Sequence, residues 1–387
     1  MRVLVLGHTY LRRFNQRKWE AFADLSPHHA ALLVVPPSWF DPHFGPVIPE
    51  HSAHARVNLQ VARAVFRGHG TLTFHIDPRL ALAVRRFRPD VVLVEQEPHS
   101  LLALQARSLA RLAPGRPLFT FFTWGSPSNR RRPKLLRVLE RGTFRAARLA
   151  LAGNRAASDR LCAAGFSGPI HRIPQVGVDL PDRPDGTRTQ VQRELGLSGI
   201  SVGFAGRLIP EKGVLDLAAA LTGLGHLDWT LLAIGRGPLS GALRRRFSEA
   251  TLAGRLRLVE DADHHRVGAL LTALDVLVLP SYATADWAEQ FGHVLIEAMA
   301  AGCPVVGTAS GEIPHVIDDA GIVVPERDID GLRCVLRRLI EDGGLRARLA
   351  AQGRARVQRH FTHARVARRL ASCLEKGRAT TDDLPDA

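Results

Sequence analysis

The chain has 387 residues, 45% of them apolar and 23% charged, with a net charge of +15. That length exceeds one hydrophobic core and suits two ordinary domains. No apolar run approaches the roughly 18 residues that would span a bilayer, and the scattered Cys162, Cys303, Cys334 and Cys373 have neither metal-ligand nor disulfide spacing.

The excess charge sits in one half. Residues 1–180 hold 26 Lys and Arg against 11 Asp and Glu, whereas residues 181–387 hold 26 of each. Attraction to a polyanion therefore belongs to the first half. Arginine-biased coding explains the scarcity of lysine but not why one half lacks compensating acids. The start, Met1–Gly7, lacks the apolar stretch and cleavage site of a signal peptide, so the cytoplasm is the expected compartment.

Short β-branched and leucine runs alternate with helical patterns, which predicts parallel sheets covered by helices. In chain order the first half offers strands at Val3–Leu6, Leu32–Val35, Leu72–His75, Val91–Val94, Leu118–Phe122 and Leu149–Ala152. Its helices fall at Gln16–Ala23, Pro78–Phe87, Leu101–Leu112, Leu135–Arg145 and Ala156–Ala164. Polar Asp182–Thr189, with Pro and Gly, reads as a linker. The second half gives strands at Ser201–Ala205, Trp229–Ile234, Leu256–Val259, Val276–Leu279, Val305–Thr308 and Gly321–Val324. Helices follow at Val214–Leu221, Leu239–Phe247, Val267–Leu274, His293–Ala301, Ile329–Glu341, Leu345–Arg359 and Thr362–Glu375, before a polar tail. Two doubly wound α/β domains facing across a cleft are expected, with ligands at the carboxyl ends of the strands.

Two segments carry the chemistry. In Gly203-Phe-Ala-Gly206-Arg207-Leu-Ile-Pro-Glu-Lys212-Gly213, a strand runs into a loop that opens a helix. Such a loop offers amide N–H groups and the positive end of a helix dipole, and Arg207 and Lys212 add two cations for a diphosphate. In Glu289-Gln-Phe291-Gly292-His-Val-Leu-Ile-Glu297, one acid precedes a helix and the other lies within its apolar stretch. A carboxylate there needs a polar partner, and a ribose diol accepted by Glu297 would supply one. The amides of Phe291 and Gly292 would then meet phosphate.

At these residues the sequence resembles glycosyltransferase family 4, the retaining group 1 transferases. The segments G-R-x-x-x-x-K-G and E-x-F-G-x-x-x-x-E occur in the family's order, followed by Pro304-Val-Val-Gly-Thr, Gly311-Glu-Ile-Pro and Gly321-Ile-Val-Val-Pro. The likeness covers nearly all of 201–328. It implies the GT-B fold, with two Rossmann-like domains and a C-terminal helix that returns to the N-terminal one. Expected limits are 1–181 for an acceptor-binding domain, 182–360 for a nucleotide-sugar-binding domain, 361–377 for the last helix and 378–387 for a flexible tail.

The resemblance further implies that Arg207 and Lys212 neutralise the donor diphosphate, Glu289 contacts the donor sugar and Glu297 holds the ribose. Gly235 lines the nucleotide pocket, unless it is only a turn. No DxD-type carboxylate pair is evident, so a metal-independent reaction without cofactor is expected, with cations and a helix dipole stabilising the leaving phosphate. UDP- or GDP-sugar would be the donor, and a lipid-linked or glycan hydroxyl the acceptor.

The first half departs from the family's pattern. Gly7 fits its first loop, or a plain turn, but the usual second glycine is absent. Thr123-Trp124-Gly125 stands where many members carry a histidine, so that residue cannot be carried over. Trp124 suits either a sugar-stacking platform or the core. Glu97, at a strand's carboxyl end, suits an acceptor base or a helix start. The basic runs Arg12–Trp19 and Arg130–Arg145 suit an anionic membrane surface or solvated helices, and peripheral attachment at the inner face of the membrane is the corresponding expectation. A nucleic-acid binder would leave the second half's motifs unexplained. A catalytically inactive nucleotide-sugar-binding protein and a GT-B epimerase are the remaining alternatives.

Overall fold

Runs such as Val3–Leu6 and Val276–Leu279 are apolar at successive positions, so both faces of each strand must be covered, and all eight residues are fully buried. The computed structural model describes residues 1–41, 45–68, 71–125, 133–180, 187–249 and 252–382. The chain divides into two compact units, one of Met1–Gly177 with His363–Ala387, the other of Val178–Thr362.

The first unit contains β1 (Arg2–Leu6), α1 (Arg13–Asp24), β2 (Ala30–Val35), β3 (Trp39–Asp41), β4 (Gly45–Val47), β5 (Val57–Val61), β6 (Ala64–Val65) and β7 (Phe74–His75). It continues with α2 (Arg79–Phe87), β8 (Val91–Glu95), α3 (Leu101–Leu112), β9 (Leu118–Thr123), α4 (Lys134–Ala146), β10 (Leu149–Ala152), α5 (Arg155–Ala163) and β11 (Ile170–Arg172). Its seven-stranded sheet runs β11-β10-β9-β8-β1-β2-β5, parallel throughout. One face packs on α2, α3, α4 and α5, the other on α1 and the C-terminal helix.

The second unit contains α6 (Thr187–Glu194), β12 (Ile200–Ala205), α7 (Val214–Thr222), β13 (Trp229–Ile234), α8 (Ser240–Arg246), β14 (Leu256–Val259), α9 (His264–Thr272) and β15 (Val276–Leu279). After these come α10 (His293–Ala300), β16 (Val305–Thr308), α11 (Ile313–Ile317), β17 (Ile322–Val324), α12 (Ile329–Glu341) and α13 (Gly343–His360). The strand order β14-β13-β12-β15-β16-β17 is again parallel. In both sheets the order reverses beside the first strand, at β1/β8 and β12/β15, and a doubly wound sheet opens a ligand crevice at such a point.

Several expectations change. β5 was not anticipated; its sequence Val-Asn-Leu-Gln-Val alternates because it is an edge strand with one face half-exposed. The expected strand at Leu72 shrinks to β7, paired antiparallel with β6, and Leu72 itself is exposed. The linker reading fails at its end, where Thr187 opens α6; residues 181–186 lie outside the described residues. The last helix, α14 (His363–Asp382), runs past its expected end and packs Val366, Leu370 and Leu374 into the first unit's core with Trp19 and Phe22 of α1. Arg12–Trp19 is not a uniformly solvated basic run. Lys18 is buried against Glu95 and Trp19 is fully buried, because α1 turns this side to the sheet.

Candidate donor site and first-unit rim

In the second unit, β12 ends at Ala205, and Gly206 (φ 155°) and Arg207 lead through a short 3-10 turn to α7. Gly213 begins α7 in the left-handed region at φ 67°, where a Cβ would lie 1.9 Å from the Pro280 carbonyl oxygen. Only glycine lets this loop press against the end of β15. Gly235 serves the neighbouring loop in the same way, since its Cβ would lie 2.1 Å from the Gly206 carbonyl oxygen. These approaches bring the carboxyl ends of β12, β13 and β15 to one rim.

Lys212 meets Glu289 on that rim, Nζ to Oε2 at 2.5 Å, with both side chains mostly buried. Ser281 Oγ donates to the same oxygen at 3.0 Å, and the Lys212 ammonium lies 5.3 Å from the Trp287 ring centroid. The Glu289 carbonyl is held by the Glu312 amide at 3.0 Å, an approach that requires glycine at Gly311. The segment containing Gly311-Glu-Ile-Pro thus positions the acid of the preceding one.

Gly292, at φ 77°, caps the start of α10, and Phe291 before it is buried. Glu297 is the fifth residue of α10, on a side that retains a partial opening to solvent. Among the described residues its carboxyl has no hydrogen-bond or ion-pair partner. Burial without compensation lifts it to about 7.

His293, an unassigned position within the motif, lies beside Phe291 with ring centroids 4.7 Å apart, and desolvation lowers its pKa to about 4. A neutral imidazole is therefore present near Lys212 and Glu289, which act on it in opposite directions. His293 and Ser281 were missed by sequence reasoning. The histidine occupies a variable motif position, and the serine's partner is eight residues away.

In the first unit, Gly7 and Glu95 meet at the reversal point; a Cβ on Gly7 would come within 3.3 Å of the Glu95 carbonyl oxygen. Glu95 is locked inward. Its Oε1 accepts from Tyr10 at 2.5 Å and Lys18 at 3.0 Å, and its Oε2 accepts from Gln175 at 2.8 Å. Gln175 also donates to Thr9 Oγ1 at 2.9 Å, which leaves its carbonyl to accept from Trp124 Nε1 at 3.0 Å. Trp124 is consequently half-buried and fixed in orientation. Glu97 Oε1 accepts from Thr123 Oγ1 at 2.8 Å, whereas Oε2 lies buried 3.5 Å from Arg160 Nη1 and has no hydrogen-bond partner among the described residues. His8 stacks on Trp39 at 3.8 Å, and burial lowers its pKa to about 4.

The structure therefore gathers Lys212, Glu289, Phe291, Gly292 and Gly235 on the second unit's rim, with Arg207 in the same loop and Glu297 behind it on α10. Gly7 and Glu97 stand on the first unit's rim. Among the described residues no group of three or more His, Cys, Asp or Glu is placed to hold a metal ion.

Residues 190–356 match the family model for glycosyl transferases group 1. That match lies within the second unit and covers most of it. Over 167 residues the chain is 36% identical to a phosphatidyl-myo-inositol mannosyltransferase of Mycolicibacterium smegmatis, covering 42% of each protein. It is 28% identical over 210 residues to a GDP-mannose-dependent phosphatidylinositol monomannoside mannosyltransferase of Corynebacterium glutamicum, covering 51% of this chain and 54% of that one. The match thus spans about half the length of these relatives.

Solved structures extend the likeness to the whole fold. Anabaena HepE, in complex with UDP and glucose, aligns over 97% of this chain and 100% of its own at a TM-score of 0.70 and 18% identity. Sucrose-phosphate synthase of Thermosynechococcus elongatus aligns over 98% and 100% at 0.71 and 20%. These likenesses show the GT-B fold of two Rossmann-like units.

Proposed function

We propose that this chain is a hexosyltransferase that moves a hexosyl group from a UDP- or GDP-sugar to the hydroxyl of a lipid-linked or glycan acceptor. The reaction proceeds with retention and without a metal, in cell-surface glycan or glycolipid synthesis. One observation carries the reading: behind a rim with a lysine–glutamate pair and a glycine-capped helix start lies a desolvated carboxyl that has no partner among the described residues. The Glu297 carboxylate suits a ribose diol, which donates two hydrogen bonds. Lys212 and Arg207 suit the diphosphate, and Glu289, held by Ser281 and Lys212, suits a hydroxyl of the transferred sugar. Gly235, Phe291 and Gly292 shape the nucleotide pocket.

As the anomeric C–O bond breaks, negative charge grows on the leaving phosphate, and fixed cations lower that barrier without reorganising. Gly7 is a further donor-binding candidate, on the first unit's own rim. Glu97 serves there through its bond to Thr123, which takes up the place where other members carry histidine. Relatives acting on phosphatidylinositol support a lipid acceptor, with the Arg130–Arg145 region toward an anionic membrane on the cytoplasmic side; Arg130, Arg131 and Arg132 lie outside the described residues. Among the described residues no helix is long and apolar enough to cross a membrane.

Thermal shift against UDP-, GDP-, ADP- and TDP-sugars tests the site. One donor should stabilise the wild type and leave Lys212→Ala and Glu297→Ala unshifted. Equal shifts in all three proteins would overturn the assignment. Transfer to an added acceptor separates a transferase from an inactive binding protein or an epimerase.

A further inference from the structure

Residues 280–288 join β15 to Glu289, and Trp287 stands two residues before that acid. The two ends of the segment close on each other, because Ser281 Oγ donates to Glu289 Oε2. Between them the segment is held at four points. The Tyr282 N–H donates to the Glu211 carbonyl at 2.9 Å, beside Lys212, and the Thr284 N–H donates to the Trp287 carbonyl at 2.7 Å. The Ala283 N–H donates to Glu326 Oε1 at 3.1 Å, and the Arg327 guanidinium lies 3.9 Å from the Tyr282 ring centroid. Arg327 makes that contact from the left-handed region, at φ 59°, a conformation that an arginine keeps only where its surroundings compensate.

Trp287 is therefore a fixed part of the donor rim. Its ring centroid is 5.3 Å from Lys212 Nζ, which is itself 2.5 Å from Glu289 Oε2, so the indole lies within a hexose's breadth of the carboxylate. The second unit's other tryptophan has a packing role. Trp229 is 1% exposed, and its N–H donates to the Leu224 carbonyl at 2.8 Å. Trp287 is only half-buried, and its indole N–H is neither buried nor hydrogen-bonded among the described residues. A large aromatic side chain held in place and left half open beside a charged pair suits a ligand with an apolar face and a polar edge.

A pyranose ring is such a ligand. The C–H bonds of one face carry slight positive charge and pack on the negative face of an indole, while the hydroxyls at the edge need acceptors. Glu289 supplies an acceptor there, and it also sets a limit. Once a diphosphate occupies Lys212 and Arg207, the carboxylate loses its counter-cation, and a second carboxylate on the sugar would meet like charge. We propose that Trp287 and Glu289 form a subsite for the transferred sugar that takes an uncharged hexopyranose, stacked on the indole, and disfavours a hexuronate. The subsite rests on the donor reading above and narrows its hexosyl group to a neutral one.

Isothermal titration with UDP, UDP-glucose, GDP and GDP-mannose tests the subsite in the wild type, Trp287→Ala and Trp287→Phe. For the base that binds, Trp287→Ala should weaken the nucleotide sugar about 10-fold, the worth of one aromatic face contact, and leave the bare nucleotide unchanged. Trp287→Phe should recover most of the loss. UDP-glucuronate, or GDP-mannuronate, should bind at least about 10-fold more weakly than the matching neutral donor, and Glu289→Gln should narrow that gap. Equal weakening of nucleotide and nucleotide sugar by Trp287→Ala would assign the indole to the base or to loop support and overturn the proposal. Unchanged binding of both, or equal affinity for the neutral and acidic donors, would overturn it too. Binding of a bare nucleotide without its neutral sugar form would overturn the subsite alone. A wild type that binds none of the four compounds would end the donor reading and the subsite together, so the two failures are distinguishable.

Discussion

Glu297→Gln tests the fold and the ligand through one side chain. Burial lifts this carboxyl from 4.5 to about 7. Between those values the unfolded chain is ionised while the folded one retains the proton, so native stability falls as pH rises through the window and is level above it. The full shift corresponds to about 3 kcal/mol, and the partial solvent opening beside the side chain lowers this to roughly 2 kcal/mol. Glutamine carries no charge. The variant should therefore match the wild type near pH 4 and exceed it by roughly 2 kcal/mol near pH 8, which raises Tm by about 4–8 °C at the usual entropy of a unit this size. Donor affinity should move the other way. An amide replaces a charged double acceptor with a single neutral one and forfeits about 2–3 kcal/mol, roughly 30- to 150-fold in Kd. Calorimetric melting at the two pH values and isothermal titration with the stabilising donor measure both. A variant no more stable than wild type near pH 8, with unchanged donor affinity, would refute the idea of a desolvated carboxylate awaiting hydroxyl donors.

Other outcomes follow from the same geometry. Lys212→Ala should lower kcat/KM by about 10²- to 10³-fold, the usual effect of removing one leaving-group stabiliser, with a circular dichroism spectrum unchanged from wild type. Donor binding to the wild type should weaken as pH falls below about 7, where Glu297 takes up a proton; a titration series across pH checks this. Gly213→Ala should destabilise by several kcal/mol, since its Cβ would overlap the Pro280 carbonyl oxygen in a left-handed backbone, and denaturant unfolding reads it directly. Lys18→Met should destabilise by about 3–5 kcal/mol by leaving Glu95 buried and uncompensated. Lys18→Met/Glu95→Gln should recover part of that loss in a double-mutant cycle.

Legibility in the sequence tracks the range of the interactions involved. Strands of the second sheet are buried on both faces and show as unbroken apolar runs, so Trp229–Ile234 and Val276–Leu279 coincide with their observed limits. Edge elements such as β5, β6 and β7 bury little, and their alternating or two-residue patterns do not stand out from loop. Lys18 shows the same limit among charges. Its partner Glu95 is 77 residues distant, so nothing local distinguishes it from the neighbouring surface arginines. The basic character of α4 is visible as composition, but the burial of its one acid, Glu140, against Arg160 is revealed only by the packing. Likewise Arg207, Lys212, Glu289 and Glu297 could be singled out as residues, whereas the absence of any described partner for Glu297 required the fold.

The placement of α14 has a consequence for how the molecule is assembled. The second unit is an insertion: the chain leaves the first unit after Gly177 and re-enters it at His363, and Val178 and Thr362 run side by side as the two crossings. During synthesis, Trp19 and Phe22 of α1 emerge before the second unit, whereas Val366, Leu370 and Leu374, which cover them, emerge after it. The first unit must therefore wait with one flank of its core uncovered while the entire second unit is translated. Until the final helix docks, the nascent chain presents an aromatic and aliphatic surface that chaperones would recognise.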